Sequence, residues 1–198
     1  MTADRRIEPA PPDLTEAFAD AGLLDVAYVV EPSPVGELLL ASTDRGLVRV
    51  AYVLAGAQEN RSVSEEQLLS ELAARVSPRV LRAPARLDDV RRQLDEYFDG
   101  RRREFSFALD RQLVRGFGVA VLDATAQIPF GEVSTYGAVA AAAGNPRAVR
   151  ATGTALGRNP LPIVLPCHRV LGAAGGFGGY TGGIERKQQL LRIEGHAL

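Results

Sequence analysis

Residues 134–157, STYGAVAAAAGNPRAVRATGTALG, predict two short helices joined by a tight turn. The first runs from Tyr136 to Ala143, follows two hydroxyl side chains that can cap it, and ends at Gly144. Asn145-Pro146 then offers an N-cap and a first-turn proline for a second helix, Pro146–Leu156. Two helices in this order form a helix-turn-helix. The small side chains of the second helix suit close approach to a groove, although an Ala-rich helical hairpin packed on its own core fits them as well.

The charge of the chain is unevenly distributed around this motif. The formal net charge is −1, but residues 1–132 hold 22 acidic and 16 basic side chains, whereas residues 133–198 hold 2 acidic and 7 basic ones. Between Val133 and Ile184 there is no acidic residue, and the formal charges there are Arg147, Arg150, Arg158 and Arg169. A surface of this sign favours a polyanionic partner, unless the gap in acidic residues is accidental.

Downstream of the helices, Pro166-Cys167-His168-Arg169-Val170 contains the only cysteine of the chain. One cysteine cannot form an intramolecular disulfide. With only two histidines, His168 and His196, the chain also lacks the ligands for an all-protein zinc site. Free cysteine is often simply a buried residue. Burial alone gives no reason for a base and a cation directly after it, so a reactive thiol is the competing interpretation.

The first half of the chain predicts a scaffold of short strands and helices. Its β-rich runs are separated by turn signals short enough for antiparallel hairpins. A capping box at Ser64-Glu65-Glu66-Gln67 begins one amphipathic helix, and a second helix covers about Leu87–Phe98. The three predicted strands are Val26–Glu31, Gly36–Ala41 and Leu47–Val53.

Composition limits the domain organisation and the compartment. Residues 1–24 lack the apolar core of an export signal and are predicted to be a flexible tail. We expect an α/β scaffold domain at residues 25–110 and a second domain at 111–198. No apolar run approaches the roughly 18 residues of a membrane span. A single free cysteine suits the reducing cytoplasm.

The second half of the chain resembles the O6-alkylguanine-DNA alkyltransferases over residues 113–196. The five-residue cysteine motif is nearly diagnostic of that family, whereas residues 25–110 resemble it only in their α/β layout. The positions that match in order and spacing are Tyr136, Gly144-Asn145-Pro146, Arg150, Asn159-Pro160, Pro162, Pro166–Val170, Gly179-Tyr180, Gly182-Gly183, Lys187, Leu190-Leu191 and Glu194-Gly195-His196.

The resemblance implies an α+β fold and a single-turnover reaction. The N-terminal domain would be RNase H-like, with an antiparallel sheet and helices, and the C-terminal domain helical and winged-helix-like with the helix-turn-helix. Such proteins transfer an alkyl group from O6 of guanine in DNA to their own cysteine, which is not regenerated. The resemblance implies no cofactor, and we expect a monomer that binds double-stranded DNA and no membrane.

Catalytic roles follow from the same resemblance. Cys167 would be the nucleophile, and His168 its general base, acting through a bridging water. Glu194 would orient His168, as in a nucleophile–base–acid triad. Asn159 would brace the active-site turn. Tyr136 would crowd the phosphate of the target nucleotide and contact the extruded guanine.

DNA-binding and pocket residues are implied as well. The second helix would enter the minor groove, and Arg150 would fill the space left by the extruded nucleotide. The remaining predicted DNA contacts are Tyr136, Arg147, Ala151, Gly153, Arg158 and Arg169. The predicted guanine pocket comprises Tyr136, Cys167, Val170, Tyr180 and Thr181. Thr181 stands where a serine or another small residue is common in the family, but its contact would be made by the backbone amide.

Three other functions remain alternatives. Lesion-binding relatives without transfer activity replace the cysteine, typically by tryptophan, and this chain keeps Cys167 and has no tryptophan. A Cys-His hydrolase would need an oxyanion hole and repeated turnover. A plain helix-turn-helix regulator gives no reason for Cys167 and His168 to be adjacent.

Overall fold

The structure is a computed structural model that describes residues 17–18, 21–53, 63–173 and 175–196. Most of the predicted tail, residues 1–16 and 19–20, lies outside the described residues. In the described part of the chain, no helix has the length and apolar character needed to cross a membrane.

The described residues of the first half of the chain form a four-stranded sheet and flanking helices. The strand order is β3-β2-β1-β4, with antiparallel pairs β1–β2 and β2–β3 and a parallel pair β1–β4. The elements are β1 (Val26–Glu31), β2 (Leu38–Thr43), β3 (Gly46–Tyr52), α1 (Glu65–Arg75), β4 (Val80–Arg82) and α2 (Asp88–Phe98). The predicted antiparallel sheet is confirmed, with β2 two residues later at each end than expected. The three-residue β4 was missed because so short a strand carries no period-2 pattern.

Local sequence signals account for the helix ends in this half. Ser64 caps α1 in the predicted capping box, accepting from the Gln67 amide at 3.2 Å while the Gln67 side chain accepts from the Ser64 amide. A 3₁₀ turn at Pro84–Leu87 leads into α2. Alternate residues of the strands face opposite sides of the sheet, so the sheet is buried on both faces.

The second half is helical, as predicted, with a minimal two-stranded parallel sheet. Its elements are α3 (Phe117–Ala126), β5 (Ser134–Thr135), α4 (Tyr136–Ala142), α5 (Val149–Gly157), a 3₁₀ turn (Cys167–Arg169), β6 (Val170–Leu171) and α6 (Ile184–Ile193). Thr135 caps α4 by accepting from the Ala138 amide at 3.1 Å. Gly144 has a φ of +84°, which a residue with a side chain rarely adopts, and it ends the helix there.

The second helix of the helix-turn-helix begins later than predicted. α5 starts at Val149, not at Pro146, and its N-cap residue Ala148 makes no side-chain cap. Residues 145–148 instead close a turn in which the Ala148 amide donates to the Asn145 carbonyl at 3.0 Å. Arg147 therefore lies in the turn before α5, which corrects its predicted place on the helix.

One hydrophobic core joins the two halves. It contains the sheet face that carries Leu38, Leu40 and Val50 together with Leu161, Ile163, Leu165 and Leu190 of the second half. The Val50 amide also donates to the Pro160 carbonyl at 2.9 Å. The sheet consequently supports the segment that leads to Cys167, so the scaffold half bears directly on the position of the thiol.

Candidate active site

The buried turn before Cys167 is held by the side chain of Asn159. Its Oδ1 accepts from the Leu161 amide at 3.0 Å, and its Nδ2 donates to the Leu165 carbonyl at 2.8 Å and to Cys167 Sγ at 3.2 Å. Within the turn Ile163 has a φ of +74°, a conformation that costs a β-branched residue about 1–3 kcal/mol. The turn is a strained conformation that the surrounding core and Asn159 maintain.

Cys167 lies in the first position of the 3₁₀ turn and is 6 % exposed. Burial raises the pKa of its thiol, because a thiolate loses hydration there. Hydrogen bonds from Asn159 and Tyr180 and the positive charge of Lys187 act in the opposite direction. The side chains that would stabilise a thiolate are therefore already gathered around the sulfur.

Glu194 is the centre of a buried hydrogen-bond network beside the thiol. Its Oε1 meets His168 Nε2 at 2.8 Å and accepts from the Tyr97 hydroxyl at 2.7 Å and from Arg169 Nη2 at 2.9 Å. Its Oε2 accepts from Arg169 Nε at 2.8 Å and from the Gly131 amide at 3.3 Å. Burial would raise the pKa of Glu194, but the hydrogen bonds from His168 and Arg169 outweigh it and lower that pKa to about 2. The side chain is an anion at neutral pH.

The contact with Glu194 determines which ring nitrogen of His168 carries the hydrogen. An ionised carboxylate only accepts hydrogen bonds, so Nε2 of His168 must carry the hydrogen. Burial lowers the pKa of His168, although Glu194 raises it in part, and the ring is therefore neutral near pH 7. In a neutral ring Nδ1 is then an acceptor, and among the described residues it has no hydrogen-bond partner. His168 is thus prepared to take a proton at Nδ1.

Arg169 does not occupy the predicted position on the DNA-binding surface. It is 7 % exposed, its guanidinium binds both oxygens of Glu194, and Nη1 donates to the Ile128 carbonyl at 2.5 Å. Its guanidinium also lies over the Phe130 ring, 5.9 Å from the centroid. The predicted DNA contact is wrong, because the charge is used inside the protein to hold Glu194.

Lys187 is a buried cation whose charge acts on the Cys167 thiol. Its side chain is fully buried, and Nζ donates to the Val170 and Phe177 carbonyls at 2.6 Å each. Burial lowers its pKa to about 8, and the negative charge of a Cys167 thiolate would raise it. Lys187 therefore connects the segment after Cys167 to the Gly-rich loop before α6.

Of the predicted pocket residues, Tyr136, Tyr180 and Thr181 border an opening of about 580 Å³, whereas Cys167 and Val170 do not line it. The Tyr136 hydroxyl donates to the Gly179 carbonyl at 3.1 Å, and the Thr181 hydroxyl donates to the Gly157 carbonyl at 2.9 Å. Val170 is fully buried, and its carbonyl accepts from Lys187 Nζ. The structure lines the opening with Tyr136, Gly153, Gly157, Gly179, Tyr180 and Thr181.

The remaining predicted DNA contacts lie on the outer face of α5 and its ends. Arg147, Arg150, Ala151 and Arg158 are exposed, and Gly153 is half-buried against the Tyr136 ring. Within the described ranges, none of these three arginines forms an ion pair. The positive surface expected from the acid-free stretch is present at this helix.

Three further residues of the site were not predicted from the sequence. Tyr97 in α2 and Tyr52 in β3 come from the scaffold half, and Lys187 matched the family without a stated role. The available signal was weak: a tyrosine on an apolar helix face and a lysine inside an otherwise amphipathic helix both fit ordinary positions. Their roles depend on contacts between residues more than 15 positions apart.

Comparisons with known proteins give the same family for both halves of the chain. The family model for the "6-O-methylguanine DNA methyltransferase, ribonuclease-like domain" matches residues 26–111. The model for the "6-O-methylguanine DNA methyltransferase, DNA binding domain" matches residues 116–196. These descriptions agree with the predicted RNase H-like scaffold and with the predicted DNA-binding half.

Curated relatives and solved structures point to the same family as the two family models. A methylated-DNA–protein-cysteine methyltransferase of Methanosarcina acetivorans is 36% identical over 85% of this chain and 97% of its own length. The one from Mycolicibacterium paratuberculosis is 38% identical over 85% and 92%. A crystal structure of Mycobacterium tuberculosis OGT in complex with DNA is 35% identical, with a TM-score of 0.65 over 85% of this chain and 92% of that one.

Proposed function

Because the chain belongs to the 6-O-methylguanine DNA methyltransferase family, we propose that Cys167 itself receives the alkyl group from O6-alkylguanine. The protein is a methylated-DNA–protein-cysteine methyltransferase that repairs DNA by direct reversal. The observation that carries the assignment of Cys167 is its place between Asn159, Tyr180 and Lys187, beside the pocket and the Glu194 network.

The reaction is a displacement at the alkyl carbon. A lone pair of Cys167 Sγ forms a bond to that carbon while the bond from the carbon to guanine O6 breaks. The electron pair stays on guanine, which takes up a proton and is left as an ordinary base. The thioether product has no leaving group of comparable quality, so one protein molecule performs one transfer.

His168 removes the thiol proton in this proposal. Its Nδ1 is a buried acceptor without a partner in the described part of the chain, while Nε2 is occupied by Glu194. The structure gives no direct hydrogen bond between Cys167 and His168. We therefore propose, as the sequence predicted, that a bridging water carries the proton from the thiol to His168. The Glu194 anion stabilises the imidazolium that forms, as in other nucleophile–base–acid arrangements.

Tyr136 and the loop before α6 form the site for an extruded base. The Tyr136 ring stands between α5 and the loop, with Gly153 on one side and Gly178 on the other. An added Cβ at Gly178 would lie 3.0 Å from the Tyr136 hydroxyl, so the glycine allows the ring to stay close. The backbone amide of Thr181, the carbonyls near Cys167 and Val170, and Tyr180 complete the proposed guanine pocket.

DNA is the partner of this protein, and we propose the minor groove as the face that receives α5. Exposed Arg150 enters the duplex where the nucleotide leaves, with Ala151 and Gly153 allowing close approach. Exposed Arg147 and Arg158 contact phosphates. We also propose that the protein acts as a monomer.

The division at residues 25–110 and 111–198 is likewise proposed, with the first part a scaffold and the second the DNA-binding and transfer domain. We propose the cytoplasm as its location, since a free thiol persists in a reducing compartment.

A single mixing experiment separates this function from its alternatives. Duplex DNA labelled in its O6-methyl group is mixed in excess with the protein, and the label is followed. Label on the protein up to one equivalent supports transfer to Cys167. Binding of the lesion without transfer of the label would indicate a non-enzymatic protein that marks the lesion for other repair pathways. If the protein shows neither transfer nor lesion binding, a hydrolase or a transcriptional regulator is the remaining interpretation.

A further inference from the structure

Tyr52, at the end of β3, reaches from the scaffold half into the active site. Its hydroxyl lies 2.9 Å from the hydroxyl of Tyr180, and the two rings meet edge to face at 65° with centroids 6.3 Å apart. Both side chains are buried, at 7 % and 5 % exposure. A hydrogen bond between two buried phenols is specific, because each hydroxyl must find a partner there.

The position of the Tyr52 ring is determined by the loop and helix that follow the pocket. The backbone of Gly182 lies directly against it, so that an added Cβ would be 2.5 Å from Tyr52 Cε2. The Arg186 guanidinium covers the ring at 4.8 Å from the centroid and donates to the Val35 and Gly182 carbonyls at 2.8 and 3.0 Å. The ring is therefore packed between the sheet and α6, and its hydroxyl is aimed at Tyr180.

Tyr180 connects Tyr52 to the reacting sulfur. Tyr180 is one of the hydrogen-bond partners that lower the pKa of the Cys167 thiol, with a smaller effect than Asn159 or Lys187. A phenol has one hydrogen to donate and can also accept. If Tyr180 gives its hydrogen to the thiolate, the hydrogen in the Tyr52–Tyr180 contact must come from Tyr52. A hydroxyl that accepts in this way is a stronger donor, since hydrogen bonds in a chain polarise one another.

We infer that Tyr52 is a positioning residue for the transfer reaction, which acts through Tyr180 by holding and polarising the hydroxyl that contacts Cys167. The inference rests on the proposed role of Cys167 as the nucleophile. It gives the ribonuclease-like half a direct part in preparing the thiol, besides its part in the core.

The test is the pH dependence of Cys167 reactivity in Tyr52→Phe. This variant keeps the ring, with its contacts to Gly182 and Arg186, and removes only the hydroxyl. The other titratable groups that face Cys167 are Tyr136, Tyr180, Lys187 and, next in sequence, His168; all are unchanged in the variant. Because Cys167 is the only cysteine, iodoacetamide alkylation followed by intact mass reports its thiolate directly.

We expect the alkylation profile of Tyr52→Phe to move to higher pH, with an unchanged plateau. At pH 7 the variant would react about 3- to 10-fold more slowly, the effect of one neutral hydrogen bond. Transfer from free O6-benzylguanine would slow by a similar factor. An alkylation profile superimposable on that of the natural protein would overturn the inference. The iodoacetamide arm does not depend on DNA repair, so a failure of the proposed function would appear separately, as absent transfer in the natural protein.

Two further variants distinguish an effect transmitted from Tyr52 through Tyr180 from a general loss of structure. Tyr28→Phe removes a hydroxyl from β1 of the same sheet, away from the site, and should leave the profile unchanged. In a double-mutant cycle, Tyr52→Phe should have almost no effect when Tyr180 is already phenylalanine. Equal effects in both backgrounds would show that Tyr52 does not act through Tyr180 and would overturn the relay.

Discussion

At the scale of single residues, the site is organised by two buried polar groups, Glu194 and Asn159. Glu194 receives hydrogen bonds from His168, Arg169 and Tyr97, so its two oxygens are fully used. Asn159 donates to the sulfur of Cys167 while its oxygen holds the backbone of the preceding turn. Through these two side chains, the fold of the backbone influences the protonation of the Cys167 sulfur.

His168→Ala and Glu194→Gln should slow alkyl transfer at pH 7 by roughly 10²–10⁴-fold, the usual contribution of a general base. Since burial raises the pKa of Cys167, both variants should recover part of their rate as the pH rises and the thiolate forms without a base. Transfer rates from pH 6 to 10 and duplex affinity would be measured, and the affinity should change little. His196→Ala, which removes the other histidine, is the matched control. Rates at pH 7 equal to that of the natural protein would remove both residues from the mechanism.

At the scale of elements, α5 presents exposed arginines at both ends and small residues in between, whereas the pocket lies behind it. The sequence predicted this helix and its exposed face but not its start. Asn145-Pro146 has the residue types of an N-cap and first turn, yet in the structure they form a separate turn. At a short junction that contains Gly and Pro, local propensity does not distinguish a first helical turn from a separate turn. Packing of the folded chain decides between these two conformations.

Arg150→Ala should slow repair in duplex DNA much more than transfer from free O6-benzylguanine. Extruding a nucleotide costs a few kcal/mol, and a planar guanidinium that enters the gap offsets part of it. Arg147→Ala is the matched control. It should weaken duplex binding at all sites and lower the salt dependence of binding, as loss of a phosphate contact does. An equal loss on duplex and on free base in Arg150→Ala would assign Arg150 to the structure of the pocket.

At the scale of the whole molecule, both halves contribute to one active site. The antiparallel sheet, the helix-turn-helix and the triad residues could be predicted from local patterns and from a motif with fixed spacing. Tyr52 and Tyr97 could not, because their roles arise only when the sheet and α2 pack on the second half. The position of Arg169 was predicted wrongly for the same reason. Its charge suggested a place on the surface, and the burial of its partner Glu194 arises only from tertiary packing.

The Glu194 network should make the stability of the whole fold depend on pH in acid. The pKa of Glu194 is lowered from 4.5 to about 2 in the folded state, so its contribution is present above pH 4.5 and is lost as the pH falls toward 2. The difference in free energy of unfolding between the natural protein and Glu194→Gln should therefore shrink over this range, by about 3 kcal/mol. Urea unfolding at pH values from 2 to 7 would measure it. A difference independent of pH would show that Glu194 is not held as a buried anion.

The most direct test of alkyl transfer to Cys167 is the intact mass of the protein after incubation with duplex DNA that contains O6-methylguanine. Replacement of the thiol hydrogen by a methyl group should raise the mass by roughly 14 Da, once per molecule, with peptide mapping placing the gain on Cys167. Cys167→Ser should bind the same duplex and gain no mass. Methyl-free guanine produced beyond one equivalent, or a mass gain that persists in Cys167→Ser, would show that Cys167 is not a single-use acceptor of the methyl group.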